Sequence, residues 1–290
     1  MRAAILMTVH NRKAQTLKCL KACREQSAEL KGKYDFTVYL VDDGSTDGTS
    51  DAVLEQFPDT VVIKGDGSLY WNHGMIRAWE EAAKEDFDFY IWLNDDTILL
   101  PGALNSLLEN SYYLRHKAIV AGTAQDSSGR LSYGGRTRKG RLIAPDDTIP
   151  IPCDTFNGNL VLVPRFAFRT LGTMDPRYSH SFGDYDYGIR ADRAGVTTVI
   201  APGVLAVCDR NPGLPKWRDR TYTLKQRYAA IMSPKGRPFK EQFLYDTRKG
   251  NVLAATVHFI SLNIKVLFPK GRPVEGRAVE AKQAAARLKD

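Results

Sequence analysis

Cysteine is scarce in this chain: four in 290 residues, scattered as Cys19, Cys23, Cys153 and Cys208. So low a count excludes a disulfide-held scaffold and fits reduced thiols in the cytoplasm. Cys19 and Cys23 stand four apart on a predicted helix, but a zinc site needs two further ligands nearby. Long clean apolar runs are lacking too. A membrane-spanning helix takes roughly 20 apolar residues, and none is expected here. The opening run Met1–Met7 meets polar His10-Asn11-Arg12 too early for a signal-peptide core. There is no internal repeat, Arg-Gly-aromatic signature, zinc knuckle or basic recognition helix, so no nucleic-acid partner is expected.

What is present is an ordinary globular composition, 43% hydrophobic, on a chain long enough to bury a sizeable core. Lys and Arg outnumber Asp and Glu by 41 to 33, a net charge of +8. Such a balance favours an anionic small molecule or an anionic membrane once nucleic acid is set aside.

Hydrophobic patterning alternates between strand and helix. Strands are expected at 3–9, 36–41, 60–64 and 87–93. Helices are expected at 13–26, 48–57 and 72–84, with another starting at Pro101, a residue favoured at the first helical position. Further strands are expected at 119–125, 130–133, 159–163 and 197–200, a loop at 134–141, and a helix opening at Gly183. This order predicts a mostly parallel sheet with helices on both faces. Ligands of such sheets bind outside the carboxyl ends of the strands. Thr8 to Asn11, Asp42-Asp43, Gly65 to Asn72 and Asp95-Asp96 should therefore line one crevice.

Three acidic constellations carry the chemistry. Asn94-Asp95-Asp96 ends the aromatic strand Phe87–Leu93. Two carboxylates at the mouth of a buried strand need a positive partner. Hard oxygen donors suit Mg2+ or Mn2+, and Mg2+ usually completes its shell with phosphate oxygens. The competing reading is a cap for the helix at Pro101. Asp42-Asp43-Gly44-Ser45 ends another strand, with residues suited to a tight turn. In Gly183-Asp184-Tyr185-Asp186, the acids two apart diverge around a helix. Asp184 would point into the crevice as a base, and Asp186 would orient Arg190 or meet an acceptor. The competing reading for both is stabilisation of a helix N-terminus.

Together these segments resemble the family-2 glycosyltransferases with the GT-A fold, of the bacterial polysaccharide and rhamnosyltransferase-like kind. The resemblance covers roughly residues 3 to 210. Thr8-Val9-His10-Asn11-Arg12 is similar to the family's opening strand motif, and Val41-Asp42-Asp43-Gly44-Ser45 to its nucleotide-base motif. Asn94-Asp95-Asp96 resembles its metal-binding acids, and Phe156-Asn157-Gly158-Asn159 its acceptor-side strand. Gly183 to Asp186 stand where the family has an acid pair with the catalytic base.

The resemblance implies an inverting transfer of sugar from a UDP- or dTDP-linked donor to a hydroxyl of a glycan or lipid-linked acceptor, in surface polysaccharide biosynthesis. Asp184 would be the catalytic base. Thr8, His10, Asn11, Arg12, Asp42, Asp43, Gly65, Asp66, Trp71, Asn72, Asn94 and Asp95 would serve the donor. Asn157, Gly158, Asp186 and Arg190 would serve the acceptor, and Asp96 would bind Mg2+ or Mn2+. Residues 1–211 would form the catalytic domain, with 1–118 the nucleotide-sugar half and 119–211 the acceptor half.

Two departures stand out. The family often has Glu before the base, where this chain has Gly183. Many members have a late His in the metal shell, where this chain offers Cys208 and Asp209; a hard metal prefers the Asp oxygen. A catalytically degenerate nucleotide-sugar-binding protein and a sugar nucleotidyltransferase are the rivals. The second would need a glycine-rich basic phosphate loop after the first strand. Lys64, Arg138 and Arg210 are candidate diphosphate contacts, and Trp71 and Trp217 candidate sugar-stacking residues.

Residues 212–290 read as a basic, largely helical extension. Within it, 251–268 is an apolar helix, with Asn251, His258, Ser261 and Lys265 on one narrow stripe. Such a helix packs in protein, joins copies of the chain, or lies at a membrane interface. The expected location is the cytoplasm, free or at the inner face of the plasma membrane.

Overall fold

The computed structural model describes residues 1–210 and 213–269. The chain divides into two compact units, Met1–Arg210 and Asn211–Asp290. The first opens with β1 (Arg2–Val9), α1 (Lys13–Glu29), β2 (Asp35–Asp42), α2 (Thr49–Gln56), β3 (Val61–Lys64), α3 (Tyr70–Ala83) and β4 (Phe89–Leu93). It continues with β5 (Ile98–Leu99), α4 (Ala103–Tyr113), β6 (Ala118–Gln125), β7 (Leu131–Tyr133), β8 (Gly135–Arg136), β9 (Ile151–Pro152) and β10 (Thr155–Phe156). It closes with β11 (Leu160–Pro164), α5 (Arg165–Leu171), α6 (Gly183–Arg193) and β12 (Thr197–Val207).

The main sheet runs β3-β2-β1-β4-β11-β6-β12-β5. β1, β2, β3 and β4 are parallel, β11 is antiparallel to both β4 and β6, and β12 is parallel to β6. The architecture is thus the expected mostly parallel sheet with flanking helices. β4 reads as an unbroken apolar run because all five of its residues are buried, as a central strand covered on both faces requires. Along β1 the faces alternate. Ile5, Met7 and Val9 pack with Cys19, Leu20 and Leu104, while Ala4 and Leu6 pack with Met75, Trp79 and Tyr187.

Register brings the chemistry to one end. Val9 pairs Asp42, and Leu6 pairs Trp92. The carboxyl ends of three adjacent parallel strands therefore open on the same side.

Three expectations change. Pro101 does not start α4; Ile98–Leu99 first forms an edge strand, and the helix begins after Gly102 in the left-handed region with no side-chain cap. The capping reading of Asp95-Asp96 falls with it. β12 does not stop at Ile200 but runs on to Val207 past Pro202, with register shifts after Ile200 and Val204 absorbing the break. The loop at 134–141 carries a short strand, β8, which pairs β10.

In the second unit, α7 (Leu224–Met232), α8 (Phe239–Lys249) and α9 (Val252–Leu267) surround a small core of Trp217, Ile231, Leu262 and Val266. Trp217 is therefore core, and not a sugar-stacking residue. Asn251 caps α9 by accepting from the Ala254 N–H. Among the described residues, no helix is long and apolar enough to cross a membrane.

Candidate active site

Arg12, at the start of α1, reaches the acid pair after β4. One guanidinium nitrogen lies 3.1 Å from Asp95 Oδ1 and 2.6 Å from Asp96 Oδ2. Asp95 is buried and its Oδ2 has no partner. Burial, with Asp96 adding to it and Arg12 opposing, lifts the Asp95 carboxyl to about 7. Burial alone would lower Arg12, but the two carboxylates hold it above its ordinary value. A buried carboxylate oxygen without a donor is the local demand that a divalent cation meets.

The surroundings limit how a metal shell is completed. Among the described residues, no three His, Cys, Asp or Glu side chains converge on a common point. Asp209 Oδ1 instead accepts from the Ser127 N–H at 2.7 Å, so this expected ligand serves the loop after β6. Cys208 does reach the acids, with Sγ 3.5 Å from Asp96 Oδ1. Burial and then Asp96 push its thiol up to about 12, so it stays protonated near neutrality. Asp95 and Asp96 are therefore the two carboxylates that this position offers a divalent cation.

Trp71, on the first turn of α3, ties the acids to the opposite wall. Its indole N–H donates to Asn94 Oδ1 at 2.7 Å. Its ring lies against Gly158, where a Cβ would overlap it. The Gly158 N–H in turn donates to Asp184 Oδ2 at 2.9 Å, and the Tyr185 N–H donates to Asp184 Oδ1 at 2.8 Å. Asp184 is half-buried at the start of α6. Burial outweighs these two hydrogen bonds and the nearby Arg136, and raises its carboxyl to about 6. A carboxylate so poised is suited to proton abstraction near neutral pH.

Other expected site residues carry the hydrogen bonds that hold the crevice loops. Asp43 is buried and accepts from the N–H groups of Gly67, Leu69 and Tyr70, shaping the turn into α3. Gly65 is required there, since a Cβ would crowd Asp43 Oδ1. Asp66 accepts from the Ser68 N–H and hydroxyl in an exposed turn. Asp42 is bonded to the Ser45 N–H and the Ser50 hydroxyl, with Lys64 at 3.6 Å. These bonds override burial and hold its carboxyl below its ordinary value. His10 Nδ1 lies 2.6 Å from the Asp43 carbonyl, and Asn11 Oδ1 accepts from the Thr46 N–H. Thr8 packs against Gly74, where a Cβ would overlap its hydroxyl.

The structure gives four of the assigned residues protein partners. Asn72, expected at the donor, is fully buried, and its amide donates to the carbonyls of Asp175 and Tyr178. Asp186 takes the first of its two expected roles: fully buried, it pairs with Arg190 at 3.2 Å and accepts from the Tyr178 hydroxyl, which leaves no acceptor contact at this carboxylate. Arg190 donates to the carbonyls of Leu171 and Thr173. Asp209 caps a loop, as above. Among the diphosphate candidates, Arg210 is bonded to the carbonyls of Leu131 and Ser132, and Arg138 stands 3.8 Å from Asp192.

Arg136 was missed. β8 carries it to Asn157, whose Oδ1 it meets at 3.0 Å, and over the Tyr185 ring. Asn157 Nδ2 donates to the Tyr185 hydroxyl at 2.8 Å. The signal available was a basic run beside Gly134-Gly135, read only as a loop. The crevice loops are also strained: Asn11, Tyr70 and Phe182 all have positive φ without being glycine, a conformation that clusters at functional sites.

Comparison with known proteins gives a consistent picture. Residues 4–172 match the model of Glycosyl transferase family 2. The chain is 25% identical over 210 residues, 61% of its own length and 67% of the relative's, to N-acetylglucosaminyl-diphospho-decaprenol L-rhamnosyltransferase of Mycobacterium tuberculosis. The fold is similar to that of S. aureus TarS 1-349 in complex with UDP-GlcNAc, with a TM-score of 0.58 and 12% identity, over 93% of this chain and 76% of that one. It is also similar to the mannosyltransferase PcManGT from Pyrobaculum calidifontis in complex with GDP-Man and Mn2+, with a TM-score of 0.54 and 17% identity, over 99% and 80% of the two chains.

Proposed function

Because the chain belongs to glycosyl transferase family 2 and has the GT-A fold, we propose that it is an inverting enzyme taking sugar from a UDP- or dTDP-linked donor. The acceptor is read as a hydroxyl of a glycan, most simply a lipid-linked one in surface polysaccharide biosynthesis. The rhamnosyltransferase relative, named for a diphospho-decaprenol substrate, supports that choice. The observation that carries the reading is Asp184, half-buried, lifted to about 6 and fixed by Gly158 and Tyr185 across the crevice from Asn94.

In this mechanism, Asp184 takes the proton of the acceptor hydroxyl as its oxygen attacks the anomeric carbon, and the nucleoside diphosphate leaves from the opposite face. General-base catalysis of this kind contributes about 10²–10⁴-fold. Asp95 and Asp96 would hold Mg2+ or Mn2+, which when bound neutralises charge on the leaving diphosphate. Arg12 supplies fixed positive charge at the same place. One base then suffices, whereas a glycoside hydrolase needs two carboxylates flanking the bond. Trp71 and Asn94 form the wall against which the donor sugar would lie.

Residues 1–211 are assigned to catalysis, with donor groups before residue 118 and the base after it, and 212–290 to an extension. Four free, buried cysteines suit a reducing compartment, and the enzyme is placed in the cytoplasm or at the inner face of the plasma membrane.

Titration calorimetry with UDP, dTDP and GDP, with and without Mn2+, tests the reading. It expects metal-dependent binding of one nucleotide, lost in Asp96→Ala. A folded protein that binds none of them would overturn the reading, and binding without turnover would favour the degenerate alternative.

A further inference from the structure

α9 buries Ala255, Leu262 and Val266 in the core of its unit. At about 100° per residue, Leu253, Val257, Ile260, Ile264 and Leu267 lie on the opposite side. They form a stripe about 80° wide, and they are 41% to 74% exposed. Phe268, just beyond the helix, extends it at 72% exposed. This inverts the usual surface helix, whose outward face is polar. On the polar stripe expected from the sequence, His258 Nδ1 is held 2.7 Å from Asp246; off that stripe, Tyr228 donates to Asn263.

The charge around the stripe is one-sided. Residues 213–269 carry eleven Lys or Arg against three Asp or Glu, whereas residues 1–210 carry 24 against 27. The whole excess of positive charge thus lies outside the catalytic unit. Lys265 flanks the stripe on α9, and Lys249 ends the helix before it.

An apolar ridge set in a basic surface matches the two layers of an anionic bilayer: acyl chains for the ridge, headgroups for the cations. A second copy of the chain would bring equal positive charge against it, and a neutral apolar partner would leave the cations unused. We propose that the outward stripe of α9 is a peripheral membrane-docking surface selective for anionic lipid. The inference rests on the reading of a lipid-linked acceptor only for its purpose; the surface itself is argued from α9 and the charge.

The test is flotation of the full chain with vesicles of phosphatidylcholine alone, and of phosphatidylcholine with about one third phosphatidylglycerol. The protein is expected to float with the anionic vesicles and to be released by salt. The double substitution Ile260→Ser with Ile264→Ser removes two side chains, each 52% exposed, that lie outside the core of the unit. It should weaken vesicle binding about tenfold or more while leaving the circular dichroism spectrum and nucleotide binding unchanged. Absence of flotation, flotation indifferent to phosphatidylglycerol, or wild-type flotation by the double variant would each overturn the proposal. So would a dimer in sedimentation velocity that the double variant dissociates, which would make a second copy the occupant. Nucleotide titration on the same samples separates the two readings: intact binding without flotation removes only the membrane surface, and the converse removes only the donor site.

Discussion

The carboxamide oxygen of Asn72 occupies the space where a side chain at position 183 would begin. Asn72 cannot swing aside cheaply, because its amide nitrogen is bonded to the carbonyls of Asp175 and Tyr178. Gly183→Ala should therefore destabilise the fold by about 1–3 kcal/mol, the usual cost of overpacking. A double-mutant cycle with Asn72→Ala should show coupling, the pair costing less than the sum of the singles. Additive thermal shifts would mean that α6 moves away freely.

Asp184→Asn keeps the shape and removes the base. It should lower kcat by about 10²–10⁴-fold with a small change in donor affinity. In the wild type, the base works deprotonated and its carboxyl stands at about 6, so kcat/KM should rise as pH increases through about 6 and then level. A profile flat from pH 5 to 8 would show that another group takes the proton.

Asp95 links the site to stability. Its carboxyl is lifted to about 7 in the folded protein, against about 3.9 when unfolded. Between those values the folded state holds the extra proton, so this group's contribution to stability is full below about pH 4 and is lost as pH rises through 7. Asp95→Asn should therefore raise the melting temperature at pH 8, change it little at pH 4.5, and weaken donor binding. Thermal melts at the two pH values check the sign.

Gly158→Ala places a methyl against the Trp71 ring and close to Asp184, whose Cβ lies 3.3 Å from the added carbon. It should displace the indole from Asn94 and lower kcat more than it raises KM. A red shift in tryptophan emission, together with the kinetic loss, is the expected signature. Unchanged emission would mean that the backbone at 158 gives way instead.

Much of this was legible from residue patterns. β1, β2 and β4 show as apolar runs ending in polar clusters, and the parallel order of the sheet follows from their alternation with helices. Asp184 and the Asp95-Asp96 pair stand out because acids at strand ends and helix starts need a reason. What escaped was set by tertiary contacts. Asn72 looks like a ligand in a string of polar letters, but it is buried where a neighbouring segment needs a bond, and of the two roles open to Asp186 its burial permits only the pairing with Arg190. Asp209 was chosen over Cys208 on donor hardness, yet the strand continues past Pro202 in a way that brings the thiol, and not the carboxylate, to Asp96. Arg136 was hidden because a two-residue strand leaves no periodic trace.

Three bonds across the crevice are long in sequence: Arg12 to Asp96 spans 84 positions, Trp71 to Asn94 spans 23, and Gly158 to Asp184 spans 26. None can form from a single stretch of chain, so the crevice assembles only as the whole catalytic unit does. A bound nucleotide then acts on the folding equilibrium itself, stabilising by RT ln(1 + [L]/Kd). Under the proposed function, the rise in melting temperature with nucleotide concentration reports on the integrity of the entire sheet, and saturation of that rise measures affinity without a turnover assay.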